Sequence, residues 1–115
     1  MKSLRNRVQL IGHLGMDPEV KVFNGDKKMA RFSIATTDTY KNAEGKRVTE
    51  TQWHHAVVWG DALTGVVEKY LKKGKEVAVE GKLVHRAYDD KDGSRRYIAE
   101  VVVSDILLLG KSDDK

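Results

Sequence analysis

Apolar and polar residues alternate along most of this chain, which is the pattern of β-strands with one buried face. The alternation predicts five strands, which cover residues 8–23, 29–37, 48–59, 76–88 and 95–109. The first strand is interrupted at Asp17-Pro18, because proline cannot donate a hydrogen bond to a sheet ladder. Gly12 and Gly15 predict a bulge or a close backbone approach within that strand.

The alternation stops once, where apolar residues repeat with helical spacing. This stripe consists of Leu63, Val66, Val67, Tyr70 and Leu71, spaced i, i+3, i+4, i+7 and i+8. The spacing predicts one amphipathic helix. Asp61 is the predicted N-cap and Gly74 the predicted left-handed C-cap residue.

Three strands, one helix and two strands follow one another in this order, which is the order of the OB-fold. The predicted fold class is therefore all-β: a five-stranded OB-fold Greek-key barrel with one α-helix between strands 3 and 4. Element order alone leaves other small barrels open. Asn24-Gly25 predicts a turn. Residues 1–110 are predicted to form a single domain, and residues 111–115 a short polar tail.

Charge and composition narrow the class of function. The chain has 21 Lys and Arg against 17 Asp and Glu, a net charge of +4, which mildly favours polyanionic partners. It has no cysteine, so disulfides and thiolate chemistry are excluded and an intracellular location is expected. The basic N-terminal segment has too short an apolar run for a signal peptide or a membrane span.

Four aromatic residues are candidates for stacking on unpaired bases. Trp53 and Trp59 lie six residues apart on a predicted strand, so they share one face. Tyr40 and Tyr88 are each predicted to begin a charged hairpin loop, with Lys41 beside the first. Aromatic side chains among basic ones are typical of proteins that bind single-stranded nucleic acid.

The alternative for the tryptophans is a place in the core, where large aromatics are usually found. The opposite face of the same strand carries Ala56 and Val58, which are small enough to fill a barrel. Two indoles and a histidine would be hard to fit there instead. The pattern therefore favours exposed tryptophans.

No catalytic or metal-binding pattern is found. His54 and His55 are adjacent, so on a strand they point to opposite faces and cannot bind one metal together. His13 and His85 have no carboxylate or cysteine at ligand spacing. Nucleophile-elbow, P-loop and Rossmann motifs are missing from the sequence. We therefore expect a protein that is not an enzyme and that needs no cofactor.

A series of motifs resembles those of bacterial single-stranded DNA-binding proteins. In order they are NRVQLIGHLG (6–15), DPEV (17–20), FSIAT (32–36), ETQWH (50–54), VVWG (57–60), YLKKG (70–74) and VEGKL (79–83). The resemblance spans nearly all of residues 4–109. It is specific because several motifs occur together and in the same order.

The resemblance implies an OB-fold homotetramer that binds and protects single-stranded DNA during replication, repair and recombination, in the cytoplasm beside the nucleoid. The implied base-stacking residues are Tyr40, Trp53, Trp59 and Tyr88. The implied or predicted phosphate contacts are Lys21, Lys41, His55, Lys73 and Arg86. His54 is the implied subunit contact. Where this family commonly has Arg and Lys, the chain has His55 and Asp61, which predicts weaker or more pH-dependent binding.

The family usually ends in an acidic, aromatic-tipped peptide that recruits replication and repair proteins. This sequence ends Asp113-Asp114-Lys115 without an apolar tip, so recruitment through such a tip is not carried over from the family. Two other functions stay open. One is a primosomal OB protein that binds strands weakly and contacts a helicase, and the other is an RNA-binding or translation-associated OB domain.

Overall fold

The computed structural model describes residues 4–23, 25 and 27–110. The strands are β1 (Val8–Leu14), β2 (Glu19–Phe23), β3 (Lys27–Lys41), β4 (Arg47–Trp59), β5 (Glu76–Asp89) and β6 (Arg95–Leu108). One helix, α1 (Asp61–Tyr70), connects β4 to β5. Asn24 of the predicted turn and the predicted tail at 111–115 lie outside the described residues, whereas Gly25 has the positive φ, 81°, that such a turn requires.

Five of these strands close into a barrel. They follow one another as β1, β5, β6, β4 and β3, and pairing of β1 with β3 completes the ring. Strand β2 pairs with the N-terminal end of β3, over residues 27–31. It is the part of the first predicted strand that resumes after the break at Asp17-Pro18. The helix therefore falls between the third and fourth barrel strands. The predicted OB-fold class is confirmed.

The barrel interior takes one residue in two from each strand, as the alternation predicts. The core cluster is formed by Leu14, Ala30, Phe32, Ile34, Ala56, Val58, Val67, Leu71, Val77, Val79, Val101 and Val103. Gly12 allows the barrel to close, because a β-carbon there would lie 2.1 Å from the carbonyl oxygen of Ala35. The predicted close backbone approach is confirmed at this position.

Both predicted caps of the helix are wrong. The N-cap is Gly60 with φ 97°, and Asp61 is the first helical residue, where its carboxylate still suits the helix dipole. The chain leaves the helix at Leu71 in an extended conformation, which buries the Leu71 side chain in the core. Gly74 lies further on in a turn with φ 87°, and its N–H donates to the Leu14 carbonyl at 2.9 Å.

Two hairpins extend the sheet, and three of their four strands are longer than predicted, whereas β6 ends one residue early at Leu108. Strands β3 and β4 stay paired as far as Lys41 and Arg47, and β5 and β6 as far as Asp89 and Arg95. The loops proper are residues 42–46 and 90–94. Tyr40 and Tyr88 therefore lie within paired strands and do not begin the loops, which corrects the sequence prediction.

Candidate nucleic-acid interface

Strand β4 presents different side chains on its two faces. Ala56 and Val58 point inward and are buried in the core cluster. Trp53 and Trp59 point outward and are 58% and 52% exposed. The predicted placement of the tryptophans on the exposed side of the strand is confirmed.

Neighbouring strands extend this outward surface. Across the β3–β4 ladder, Met29 lies opposite Trp59 and Arg31 opposite Val57. On the other side of β4, Glu100 of β6 pairs with His55. We call the outward surface of β3, β4 and the β5–β6 hairpin the outer face; its aromatic and basic members include Arg31, Trp53, His55, Trp59, Arg86 and Tyr88. Met29 and Val57 are buried on it without belonging to the core cluster, so the outer face has a small apolar floor of its own.

Each tryptophan rests against one neighbour. The Trp53 ring covers Gly15, where a β-carbon would lie 2.3 Å from Cζ3 of the indole. The Trp59 ring lies beside Phe23, with centroids 6.1 Å apart and planes inclined by 30°. This spacing is within the range of favourable aromatic pairs. Each indole is thus held in place by a neighbour, while about half of its surface stays open to solvent.

Phe23 is an exposed aromatic to which the sequence analysis gave no role. It follows Val22 directly, and both side chains are exposed at the end of β2. Two adjacent apolar residues break the alternation of the strand. That break is the signal by which sequence reasoning could have found an extra ring beside Trp59.

Arg86 links Tyr88 to a buried carboxylate. Its Nε and a terminal nitrogen donate to the two carboxylate oxygens of Glu100 at 2.9 and 3.2 Å. These hydrogen bonds raise the pKa of the Arg86 guanidinium. The Arg86 Cζ also lies 6.0 Å from the centre of the Tyr88 ring, a cation–π distance. Arg86 therefore positions Tyr88 while Glu100 offsets its charge.

A groove of about 560 Å³ crosses the outer face between residues 16–19 and strands β3, β4 and β6. Arg31, His55 and Glu100 line it. At one edge, Asp17 Oδ1 accepts a hydrogen bond from the backbone N–H of Lys73 at 2.8 Å. This bond attaches the turn after the helix to the groove. The groove therefore combines cations, carboxylates and apolar surface beside the part of β4 that lies between the two tryptophans.

The geometry can be compared with known proteins. Residues 5–109 match the family model described as the single-strand binding protein family. The chain belongs to this family. The resemblance inferred from the motifs is confirmed.

Relatives in the family are similar over most of their length. Single-stranded DNA-binding protein 1 of Chlorobaculum tepidum is 40% identical over 109 residues, which are 94% of this chain and 67% of that protein. Single-stranded DNA-binding protein 1 of Xylella fastidiosa is 40% identical over 115 residues, 99% of this chain and 83% of that protein. The solved structure of a Plasmodium falciparum SSB complex with ssDNA has 34% identity and a TM-score of 0.84, covering 96% of this chain and 98% of that one.

The structure distributes the four predicted stacking residues over two surfaces. Trp53, Trp59 and Tyr88 lie on the outer face. Tyr40, 47% exposed, pairs with Val48 and alternates to the opposite face of the β3–β4 hairpin. Three of the four predicted stacking residues therefore share a surface, and the fourth lies around the edge of a hairpin.

The predicted basic contacts are spread around the outer face. Lys21, on β2, lies opposite Met29 in the same cross-strand row as Trp59. Lys41 lies opposite Arg47 at the end of the hairpin, on the same side as Trp53. His55 lines the groove. Lys73 meets the groove edge only through its backbone N–H, and it lines a separate pocket with Lys72 and Lys75.

His54 points away from the outer face, as predicted from its adjacency to His55. It lies opposite Ile34 and is half-buried, and its Nε2 is 2.9 Å from Thr36 Oγ1.

Within residues 4–23, 25 and 27–110, no group of three or more His, Cys, Asp or Glu side chains could hold a metal ion.

Proposed function

We propose that this protein binds single-stranded DNA without reading its sequence and protects the strand during replication, repair and recombination. The observation that carries the proposal is the pair of half-exposed tryptophans, Trp53 and Trp59, on the outer face. A family whose members are named for binding single-stranded DNA supports it.

Stacking supplies the base contacts in this proposal. Trp53, Trp59 and Tyr88 each stack on one unpaired base, and each stack contributes about 1–3 kcal/mol. Every base has a π-face, so these contacts do not depend on sequence. Tyr40 is the fourth platform. Because it lies on the opposite face of its hairpin, a strand that reaches all four rings passes around that hairpin.

Basic side chains hold the phosphates. We assign this role to Lys21, Lys41, His55, Lys73 and Arg86. Arg86 uses two N–H groups on Glu100, and a guanidinium has others free for a phosphate. Each neutralised phosphate releases counterions, so affinity falls as salt rises, with a slope of about −0.7 per contact for single strands.

We further propose a homotetramer in which His54 lies at a subunit contact, on the surface away from the outer face.

The matched relatives are named as DNA-binding proteins, and we propose a binding role without catalysis. In the described part of the chain, no helix is long and apolar enough to cross a membrane. The role places the protein in the cytoplasm beside the nucleoid.

Fluorescence anisotropy with labelled oligo-dT tests the proposed function. We expect tight binding that weakens with salt, much weaker binding to duplex DNA of equal length, and a tetramer mass by light scattering. Equal or tighter binding to oligo-rU would instead favour an RNA-binding OB domain. A dimer with weak strand binding would favour the primosomal type.

A further inference from the structure

Phe23 is the aromatic residue beside Trp59 that the proposed function leaves without a role. It is 41% exposed at the end of β2 and does not belong to the core cluster. Its ring centroid is 6.1 Å from that of Trp59, and the two planes are inclined by 30°. Exposed apolar groups that cluster in this way mark interaction sites. Phe23 therefore presents a second ring to solvent next to an indole that already has a stacking role.

The strand register places Phe23 just beyond Trp59 along the outer face. Lys21 of β2, Met29 of β3 and Trp59 of β4 form one cross-strand row. Phe23 is two residues after Lys21, so it points to the same side and lies in the next row, about 7 Å further along. Trp53 lies in the opposite direction, six residues back on β4. Phe23 thus continues the line of rings that runs from Trp53 to Trp59.

A lysine accompanies this ring on the same side of the β2–β3 hairpin. Lys27 lies directly opposite Phe23 and is exposed. The neighbouring Lys28 points to the other side, where its Nζ is 3.8 Å from Glu68 Oε1 of α1. Strand alternation thus separates a cation beside the ring from one that pairs with the helix. Aromatic rings among cations are the means by which proteins stack the bases and hold the backbone of a single strand.

We propose that Phe23 and Lys27 form a further nucleotide subsite, in which the ring stacks on the base next to the one on Trp59 and the ammonium contacts its phosphate. The inference rests on the proposed binding of single-stranded DNA. One strand of duplex DNA has one phosphate per about 3.4 Å, and an unpaired strand extends further. Consecutive nucleotides can therefore reach rings that are 6.1 Å apart. The subsite lengthens the bound segment by one nucleotide at the Trp59 end.

Oligo-dT affinity of the full chain tests the ring. Phe23→Leu should weaken binding by about fivefold or more, the lower end of what one stacked base contributes. Its salt slope should not change, because no charge is lost. Phe23→Tyr keeps the π-face and should keep most of the affinity. Val22→Ala, on the opposite face of β2, is the matched control and should bind like the wild type.

Fluorescence distinguishes stacking on Phe23 from support of Trp59. In a chain that carries Trp53→Phe and Trp59→Phe, the substitution Phe23→Trp supplies the only indole. Saturating oligo-dT should quench its emission. Val22→Trp in the same background is the control, and its emission should be quenched much less.

The salt slope tests the lysine. Lys27→Gln should lower it by about 0.7, whereas Lys28→Gln removes the same charge from the other side and should leave it unchanged. Unquenched emission from the Phe23→Trp chain would show that Phe23 only supports Trp59 and would overturn the inference. Wild-type affinity in Phe23→Leu or a full salt slope in Lys27→Gln would also overturn it. A wild type that does not bind oligo-dT would contradict the proposed function itself, and the inference with it.

Discussion

The two faces of β4 show how one strand serves both the fold and the ligand. On the inner face, Ala56 and Val58 are almost completely buried, with Ile34 on the adjoining strand. On the outer face, two indoles keep about half of their surface in water. Clustered exposed apolar groups mark interaction sites. The comparison predicts that inner residues determine stability and outer residues determine binding. Each of the following variants tests whether stability and binding can be changed separately.

The largest expected effect is on the inner face. Ile34→Ala removes a fully buried side chain, so the free energy of unfolding should fall by about 2–5 kcal/mol in a urea titration. The folded fraction should bind oligo-dT with unchanged affinity. If affinity per folded molecule also fell strongly, the two faces would not be separable.

The next effect is on the outer face. Trp53→Leu and Trp59→Leu should each weaken oligo-dT binding by about 1–3 kcal/mol, because leucine offers no π-face. Trp53→Phe and Trp59→Phe are the matched controls and should keep most of the affinity. Calorimetric titration measures both sets. Equal affinities for the leucine and phenylalanine variants would rule out stacking as the source of binding.

A smaller effect is expected where the backbone supports an outer ring. Gly15→Ala places a methyl group on the Trp53 ring, so the ring must move and affinity should fall by less than in Trp53→Leu. Gly65→Ala adds the same methyl in α1, where nothing lies within 4 Å, and should instead stabilise the helix by up to about 1 kcal/mol. Unchanged binding by Gly15→Ala would show that the position of the ring is not critical.

The smallest effect concerns charge on the outer face. Glu100→Gln removes the carboxylate that offsets Arg86, so oligo-dT affinity at low salt should rise by about 0.2–1 kcal/mol. The gain should vanish at high salt because the charges are then screened. Weaker binding at low salt would mean that Glu100 matters more for orienting Arg86 and Tyr88 than for offsetting charge.

The sequence predicts those features that depend on local periodicity. Alternation along β4 is enough to place Trp53 and Trp59 on the exposed side. The helix ends are missed because the extended conformation of Leu71 depends on its burial in the barrel. The β3–β4 hairpin is predicted too short because residues 37–41 lie beyond the core. They are exposed on both faces of the hairpin, so no alternation of buried and exposed residues marks them.

The groove is the part of the site that sequence cannot predict. Arg31 is one of several outward cations, and its position beside His55 depends on the register of two strands. The pairing of His55 with Glu100 requires β4 and β6 to run parallel, and 44 residues separate His55 from Glu100 in the sequence. No local pattern contains that information.

Intrinsic fluorescence during titration with oligo-dT tests the outer face most directly. The chain has two tryptophans, Trp53 and Trp59, so all indole emission comes from this surface. We predict that emission is quenched to saturation as bases stack, and that added salt restores it. Unchanged emission under conditions where anisotropy shows the oligonucleotide fully bound would contradict the account, because DNA would then be held somewhere other than the outer face.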